Sequence, residues 1–239
     1  MLLRTGVVDV AITGATEATV AETGIAAFDR LGALSRRNQS DHRPPSPFDE
    51  GRDGLVMGEG AAIMVLETQE HAQARGAEIL AELAGYASTA DAFHVTAPAQ
   101  DGMGSAAAIE GALKAAGIEP QEVDYINAHG TGTRLNDVTE TLAIKIAFGD
   151  HAYQVPISST KSMTGHKMGA TAALEAIFCV QAILTNMVPP TINLRQPDPE
   201  CDLDYVPNQA RELPVQTAIS NAFGFGGHNA VLALRAFSG

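Results

Sequence analysis

A histidine set in a glycine- and threonine-rich turn can exchange or share a proton with a ligand held close to the backbone, and this chain has two such turns. The first is Asn127-Ala128-His129-Gly130-Thr131-Gly132-Thr133. The second is Ser158-Ser159-Thr160-Lys161-Ser162-Met163-Thr164-Gly165-His166. Each follows a short apolar run and precedes a helix-like stretch, so each reads as a loop at a strand end, where α/β proteins place their chemistry. Lys161 precedes His166 closely, and a fixed ammonium beside an imidazole disfavours the imidazolium by like-charge repulsion. His166 is therefore expected to stay neutral at pH 7 and to donate a hydrogen bond to a developing oxyanion. Ordinary turn histidines are the alternative for both positions.

Asp137 and Glu140 sit one turn apart at the start of the helix that follows His129. Stabilisation of the helix N-terminus is one role for each carboxylate. A buried charge pair between Glu140 and Lys161 is the other, formed if the two loops converge. A third stretch, Phe223-Gly224-Phe225-Gly226-Gly227-His228-Asn229, alternates aromatics with glycines between two strand-like runs. It reads as a mobile tight loop presenting a ring and backbone N–H groups, with a plain hairpin turn as the alternative. It is not a dinucleotide fingerprint, because no helix or acidic ribose ligand follows it.

The histidines and carboxylates lack metal-ligand spacing and Lys161 would repel a cation, so no metal is expected. The two cysteines, Cys179 in an apolar helix and Cys201 in a polar connection, read as buried filler and a surface thiol. Neither has the neighbouring base a nucleophile needs.

The elements that must position these groups alternate along the chain. Strand-like runs lie at 7–12, 60–66, 78–86, 123–128, 155–158, 218–221 and 230–236. Helix-like runs lie at 18–34, 69–75, 103–116, 137–148 and 166–186, and Gly117 closes the third of them. The pattern predicts an α/β layered fold. Residues 35–47, rich in proline and polar side chains, read as a surface loop carrying a basic cluster. The stretch from Pro189 to Pro199 reads as an extended connection on the surface.

The 239 residues are 45% apolar, enough for a sizeable core, and the formal charge of −13 repels phosphate backbones and anionic lipid, so neither nucleic acid nor membrane is an expected partner. The apolar stretch 169–188 is broken by Thr171, Glu175, Gln181, Thr185 and Asn186, which suits a buried helix rather than an anchor. The N-terminus has no signal-peptide core, and two cysteines without redox spacing suit a reducing cytoplasm.

In order and spacing, NAHGTGT, SSTKSMTGH and SNAFGFGGHN resemble the β-ketoacyl-acyl carrier protein synthases of the elongating type and the related polyketide ketosynthases. Further likeness runs through residues 48–60 and 188–194. The resemblance implies a thiolase-like αβαβα sandwich of two similar halves, with residues 1–79 finishing the first and residues 80–239 forming the second. It also implies that the family's nucleophilic cysteine falls upstream of Met1, as in an enzyme without its amino-terminal part.

By the same resemblance, His129 and His166 would hydrogen-bond a malonyl thioester carbonyl as enolate charge develops, with Lys161 and Glu140 tuning them. Thr131 and Thr133 match positions that contact the pantetheine arm. Phe225 matches a gating aromatic whose N–H joins the oxyanion hole, within the loop Phe223, Gly224, Phe225 and Gly226. Arg134 and Asn136 depart from the family, which commonly has proline and glycine there. Two histidines argue against the initiating synthases, and the absence of a second cysteine motif argues against thiolases.

The implied activity is 3-oxoacyl-[acyl-carrier-protein] synthesis in fatty acid biosynthesis by decarboxylative Claisen condensation. It would need no cofactor beyond the carrier's phosphopantetheine, an acidic acyl carrier protein as partner and a homodimer when full length. Arg36, Arg37 and Arg43 are candidates for docking that carrier. The alternatives are a polyketide ketosynthase fragment and a non-condensing or decarboxylase-only partner resembling a chain-length factor. With no suitably placed thiol, the chain by itself is expected to form no acyl-enzyme.

Overall fold

The computed structural model describes residues 2–38 and 44–238. The chain runs β1 (Val10–Glu17), α1 (Glu22–Arg30), β2 (Gly60–Glu67), α2 (Gln69–Ala74), β3 (Glu82–Ala90), α3 (Met103–Ala116), β4 (Tyr125–Asn127), α4 (Arg134–Phe148), β5 (Ile157–Ser158), α5 (Lys161–Thr164), α6 (Thr171–Thr185), β6 (Met187–Val188), β7 (Arg211–Glu212), β8 (Thr217–Gly224) and β9 (His228–Arg235). The central sheet has the order β3-β9-β8-β4-β5, while β1 pairs with β2 and β6 with β7, both antiparallel.

Layering follows from which apolar faces meet. Helices α3 and α4 pack together over one face of the five-stranded sheet, where Ile109, Leu113, Ile126, Ile144 and Ile219 form a fully buried core. The other face is covered by α6, whose Cys179, Ala182 and Ile183 pack with Tyr125, Ala218 and Leu234. Helix α6 also touches β2, so it is sandwiched between the large sheet and the β1–β2 pair. The segment Met168–Thr185 has the length and hydropathy of a membrane-crossing helix, and it lies here as a core helix between two sheets. The far face of β1–β2 is apolar and open, with Ile12, Ile63 and Val65 between 59% and 77% exposed.

Strand polarity decides where the chemistry goes. Strand β4 is parallel to both of its neighbours, β5 and β8. All three therefore end on the same edge, and each carries one of the three motifs at that edge.

Several expectations shift. The first strand lies at 10–17 and the third at 82–90, both later than their apolar runs suggest. The helix expected at 18–34 is confined to α1, which Leu31 and the left-handed Gly32 close. The helix expected at 166–186 starts only at Thr171, because Met168 takes a positive φ of 40° and a 3-10 turn intervenes; it ends on Asn186 in the left-handed conformation that favours a helix C-terminus. A further short helix, α5, forms inside the second histidine loop. The end of the proline-rich loop 35–47 is not on the surface: Pro45 and Pro47 are buried, as is Phe48 just beyond, whose ring stacks on Tyr205 at 3.7 Å. Cys201 is no surface thiol; it is fully buried, and burial pushes its pKa up to about 12.

Gly85, in the bulge where β3 meets β9, lets α3 approach the sheet: a Cβ there would lie 2.3 Å from the Ala112 carbonyl oxygen. Gly85→Ala should lower stability by about 1–3 kcal/mol through overpacking. An unchanged urea midpoint would show that the helix can move away freely.

Candidate active site

His129 stands just beyond the end of β4, with Glu140 of α4 beneath its loop. The two carboxylate oxygens of Glu140 accept the backbone N–H groups of His129 and Gly130, each at 2.7 Å, and Asn221 donates to the same carboxylate at 3.1 Å. Gly130 has φ +36°, and a Cβ there would come 2.6 Å from the Ser159 side chain. Glycine thus permits the first loop to touch the second, and Ser159 Oγ closes the contact by donating to the Gly130 carbonyl at 2.6 Å. Asp137 serves the same loop further on, accepting from Gly132 N–H at 3.2 Å and from Phe48 N–H at 2.9 Å.

The loops bring the His129 and His166 rings edge to face with centroids 5.4 Å apart. Met168 N–H donates to His166 Nδ1 at 3.2 Å, and the Thr171 hydroxyl lies 3.0 Å from the same nitrogen. A backbone N–H can only donate, so Nδ1 is an acceptor and a neutral His166 carries its proton on Nε2. Both imidazoles have depressed proton affinity. Burial is the main cause for each, with repulsion from Lys161 second; His166 is pushed down to about 3 and His129 well below its ordinary value. Lys161 therefore acts in the expected direction but behind desolvation.

The expected partner of Lys161 is corrected. Its Nζ pairs with Glu175 Oε1 of α6 at 2.7 Å, the two side chains being 1% and 2% exposed. Glu140 is instead committed to backbone N–H groups and Asn221. Burial raises the Glu175 carboxyl to about 7 even though Lys161 opposes the shift, and its second oxygen has no hydrogen-bond partner among the described residues. Glu175 was missed as a functional residue, although it is the one charged side chain in the apolar run 169–188.

A cavity of about 800 Å³ opens in front of the histidines. Its wall includes His129, His166, Thr131, Thr133, Phe223 and Phe225, and Gly224 borders it as well. Lys161 and Glu140 lie behind the wall, which makes them positioning residues. The glycine-rich stretch proves to be the tight turn of the β8–β9 hairpin. Phe225, 46% exposed, stacks on Phe28 of α1 at 6.2 Å, and Gly226 N–H donates to the Val95 carbonyl. The Thr131 and Thr133 hydroxyls are 2.9 Å apart. Neither cysteine borders this cavity, and burial raises both thiols. Arg36 and Arg37 are paired with Asp29 and Asp53; Arg43 lies outside the described residues.

Arg52 is a second residue whose role was not foreseen. Only 2% exposed, it bonds Asp198 at 2.6 Å, lies 3.5 Å from Asp137, and donates to the carbonyls of Asp49, Thr133 and Arg134.

The chain matches the model of the β-ketoacyl synthase N-terminal domain over residues 1–72 and that of the C-terminal domain over residues 80–195. It is 54% identical over 236 residues to the 3-oxoacyl-[acyl-carrier-protein] synthase 2 of Synechocystis sp. and 52% identical over 236 residues to that of Staphylococcus aureus, covering 99% of this chain and 57% of each relative. The chain thus spans little more than half the length of these relatives. A type II polyketide ketosynthase solved in complex with its acyl-carrier protein superposes with a TM-score of 0.97 at 45% identity, over 99% of this chain and 58% of that one. The ishigamide ketosynthase/chain length factor superposes at 0.92 and 45% identity, over 99% and 56%. The layers described above are those of the thiolase-like sandwich that such ketosynthases share.

Removing one member of the buried pair should be costly. Glu175→Leu, which strands the Lys161 ammonium, is expected to cost about 3–5 kcal/mol, while the double variant Lys161→Met/Glu175→Leu should recover most of that loss. Chemical denaturation of the three proteins at one pH checks this; equal stability of the single and double variants would contradict it.

Proposed function

Since the chain belongs to the β-ketoacyl synthase family, we propose that it supplies the malonyl-activating part of a decarboxylative Claisen condensation, the reaction of a 3-oxoacyl-[acyl-carrier-protein] synthase. The observation that carries this reading is a pair of imidazoles on one cavity wall, both held neutral, one with its proton fixed on Nε2. In decarboxylation the bond between the α-carbon and the carboxylate breaks, CO₂ leaves, and the electron pair becomes an enolate whose charge rests on the thioester oxygen. Neutral N–H donors stabilise that oxygen without protonating the carbanion, which an imidazolium would quench. Lys161 adds positive field from behind the wall, and Glu175 compensates it. Glu140 holds the His129 loop, while Thr131 and Thr133 line the approach for a pantetheine arm and Phe225 gates it.

Condensation would then form a carbon–carbon bond between the enolate and an acyl thioester carbonyl, with a thiolate as leaving group. Neither cysteine of this chain borders the cavity to hold that acyl group. The likeness to the ishigamide ketosynthase/chain length factor supports a second reading, a non-condensing or decarboxylase-only partner of the chain-length-factor kind. The 54% identity to the 3-oxoacyl-[acyl-carrier-protein] synthase 2 of Synechocystis sp., against 45% to the type II polyketide ketosynthase, supports a fatty acid context. We read the whole protein as a cytoplasmic homodimer that works on carrier-bound substrates without a resident cofactor. Arg36 and Arg37 contribute less to docking than unpaired arginines would, since each already faces an aspartate.

Incubating the chain with a malonyl thioester should release CO₂ and leave the acetyl thioester, and His129→Ala or His166→Ala should each slow this about 100-fold or more. With an acyl-carrier donor, intact mass should show no adduct. Undiminished decarboxylation in the histidine variants would remove them from the chemistry, and an acyl adduct on Cys179 or Cys201 would overturn the division of labour.

A further inference from the structure

We infer that Arg52 is a positioning residue for the first histidine loop: it holds the half of the loop that meets the substrate, while Glu140 holds the half that carries the reacting imidazole. The inference rests on the proposed function for the reaction that is measured. It adds a side chain that does not itself line the main cavity.

The loop has two separate sets of anchors. At its start, the N–H groups of His129 and Gly130 both go to Glu140. From Gly132 onward the partners belong to other groups. The Gly132 N–H goes to Asp137 at 3.2 Å, and its carbonyl accepts from Gly54 N–H at 3.0 Å. The next two carbonyls, of Thr133 and Arg134, both accept from the Arg52 guanidinium, at 3.2 and 3.1 Å. Thr131 and Thr133, which line the cavity, thus sit on backbone that residues 48–54 shape.

Arg52 is the centre of that template. Only 2% exposed, it reaches Asp198 at 2.6 Å and Asp137 at 3.5 Å, and both aspartates also hold Phe48. The Phe48 N–H donates to the Asp137 carboxylate at 2.9 Å, and its carbonyl accepts from Asp198 N–H at 2.9 Å. Phe48 has φ +63°, a costly conformation for an aromatic residue that persists only where the surroundings over-determine it. In that conformation its ring packs against Gly130, where a Cβ would come within 3.0 Å of it. Arginine suits the position because one planar fork spans two carboxylates and two consecutive carbonyls. Lysine can replace the charge between the aspartates but not the fork, which separates the two duties.

Steady-state decarboxylation of malonyl-pantetheine by the 239-residue chain tests this, with amide hydrogen exchange measured on the same proteins. Arg52→Lys should raise KM about five- to tenfold and leave kcat within about twofold. Its Gly54 and Gly132 amides should exchange about tenfold faster, with those of His129 and Gly130 unchanged. Asp198→Asn, which loosens the guanidinium without removing it, should move both readouts the same way by a smaller factor, and it decides the matter if Arg52→Lys does not fold. Gly85→Ala, which weakens the fold far from the loop, should leave KM unchanged; a rise there matching that of Arg52→Lys would assign the effect to instability and overturn the proposal. An unchanged KM in Arg52→Lys, a fall in kcat alone, or faster exchange spread equally along the loop would also overturn it. If the unsubstituted chain releases no CO₂, the proposed function falls, and the exchange pattern alone decides the role of Arg52.

Discussion

A lysine ammonium and a glutamate carboxylate 2.7 Å apart, both almost wholly out of water, tie α5 to α6, and the rest of the site depends on that pair. On the proposed reading the cavity wall stabilises an enolate and needs positive charge nearby, yet an isolated ammonium in this core would cost several kcal/mol in lost hydration. Glu175 makes the cation tolerable. Lys161 in turn helps keep both imidazoles neutral, so the donors facing the cavity carry no charge while the field behind them does.

The other buried carboxylates organise backbone. Glu140 gathers two consecutive N–H groups at the start of the first histidine loop, and Asp137 gathers one from that loop and one from Phe48. Arg52 then clamps the start of α4. The fixed charges also make stability depend on pH in two opposed ways. His166, lowered from 6.5 to about 3, contributes stability that is present above pH 6.5 and is lost as pH falls towards 3. Glu175, raised from 4.5 to about 7, contributes stability that is present below pH 4.5 and is lost as pH rises through 7. Between pH 4.5 and 6.5 the two groups therefore pull stability in opposite directions.

The three motifs were legible as loops at strand ends because each joins an apolar run to a change of period, with glycine marking the turn. Their convergence was not, since it follows from β4 lying between β5 and β8 with all three parallel, an order that no local pattern encodes. The α/β layering was legible in the alternation of strand- and helix-like runs, whereas the thiolase-like sandwich of two halves came from resemblance. Lys161 was given the wrong partner because Glu140 lies nearer in sequence to the first motif, whereas Glu175 sits on an apolar helix where its charge looked like a mere interruption. Arg52 and Asp198 are separated by 146 positions, beyond the reach of any spacing argument. Cys201 was misjudged because its neighbours are polar, although the chain folds it against Phe48 and Tyr205 in the main core.

The central claim is that His166 faces the cavity as a neutral donor through Nε2. Nitrogen-15 spectra of the histidine-labelled chain, with the His166 signals assigned by comparison with His166→Gln, test it most directly. The account predicts an acceptor-type Nδ1 and a protonated Nε2, unchanged from about pH 8 down to about pH 5. An imidazolium signature within that range, or a proton on Nδ1, would contradict it.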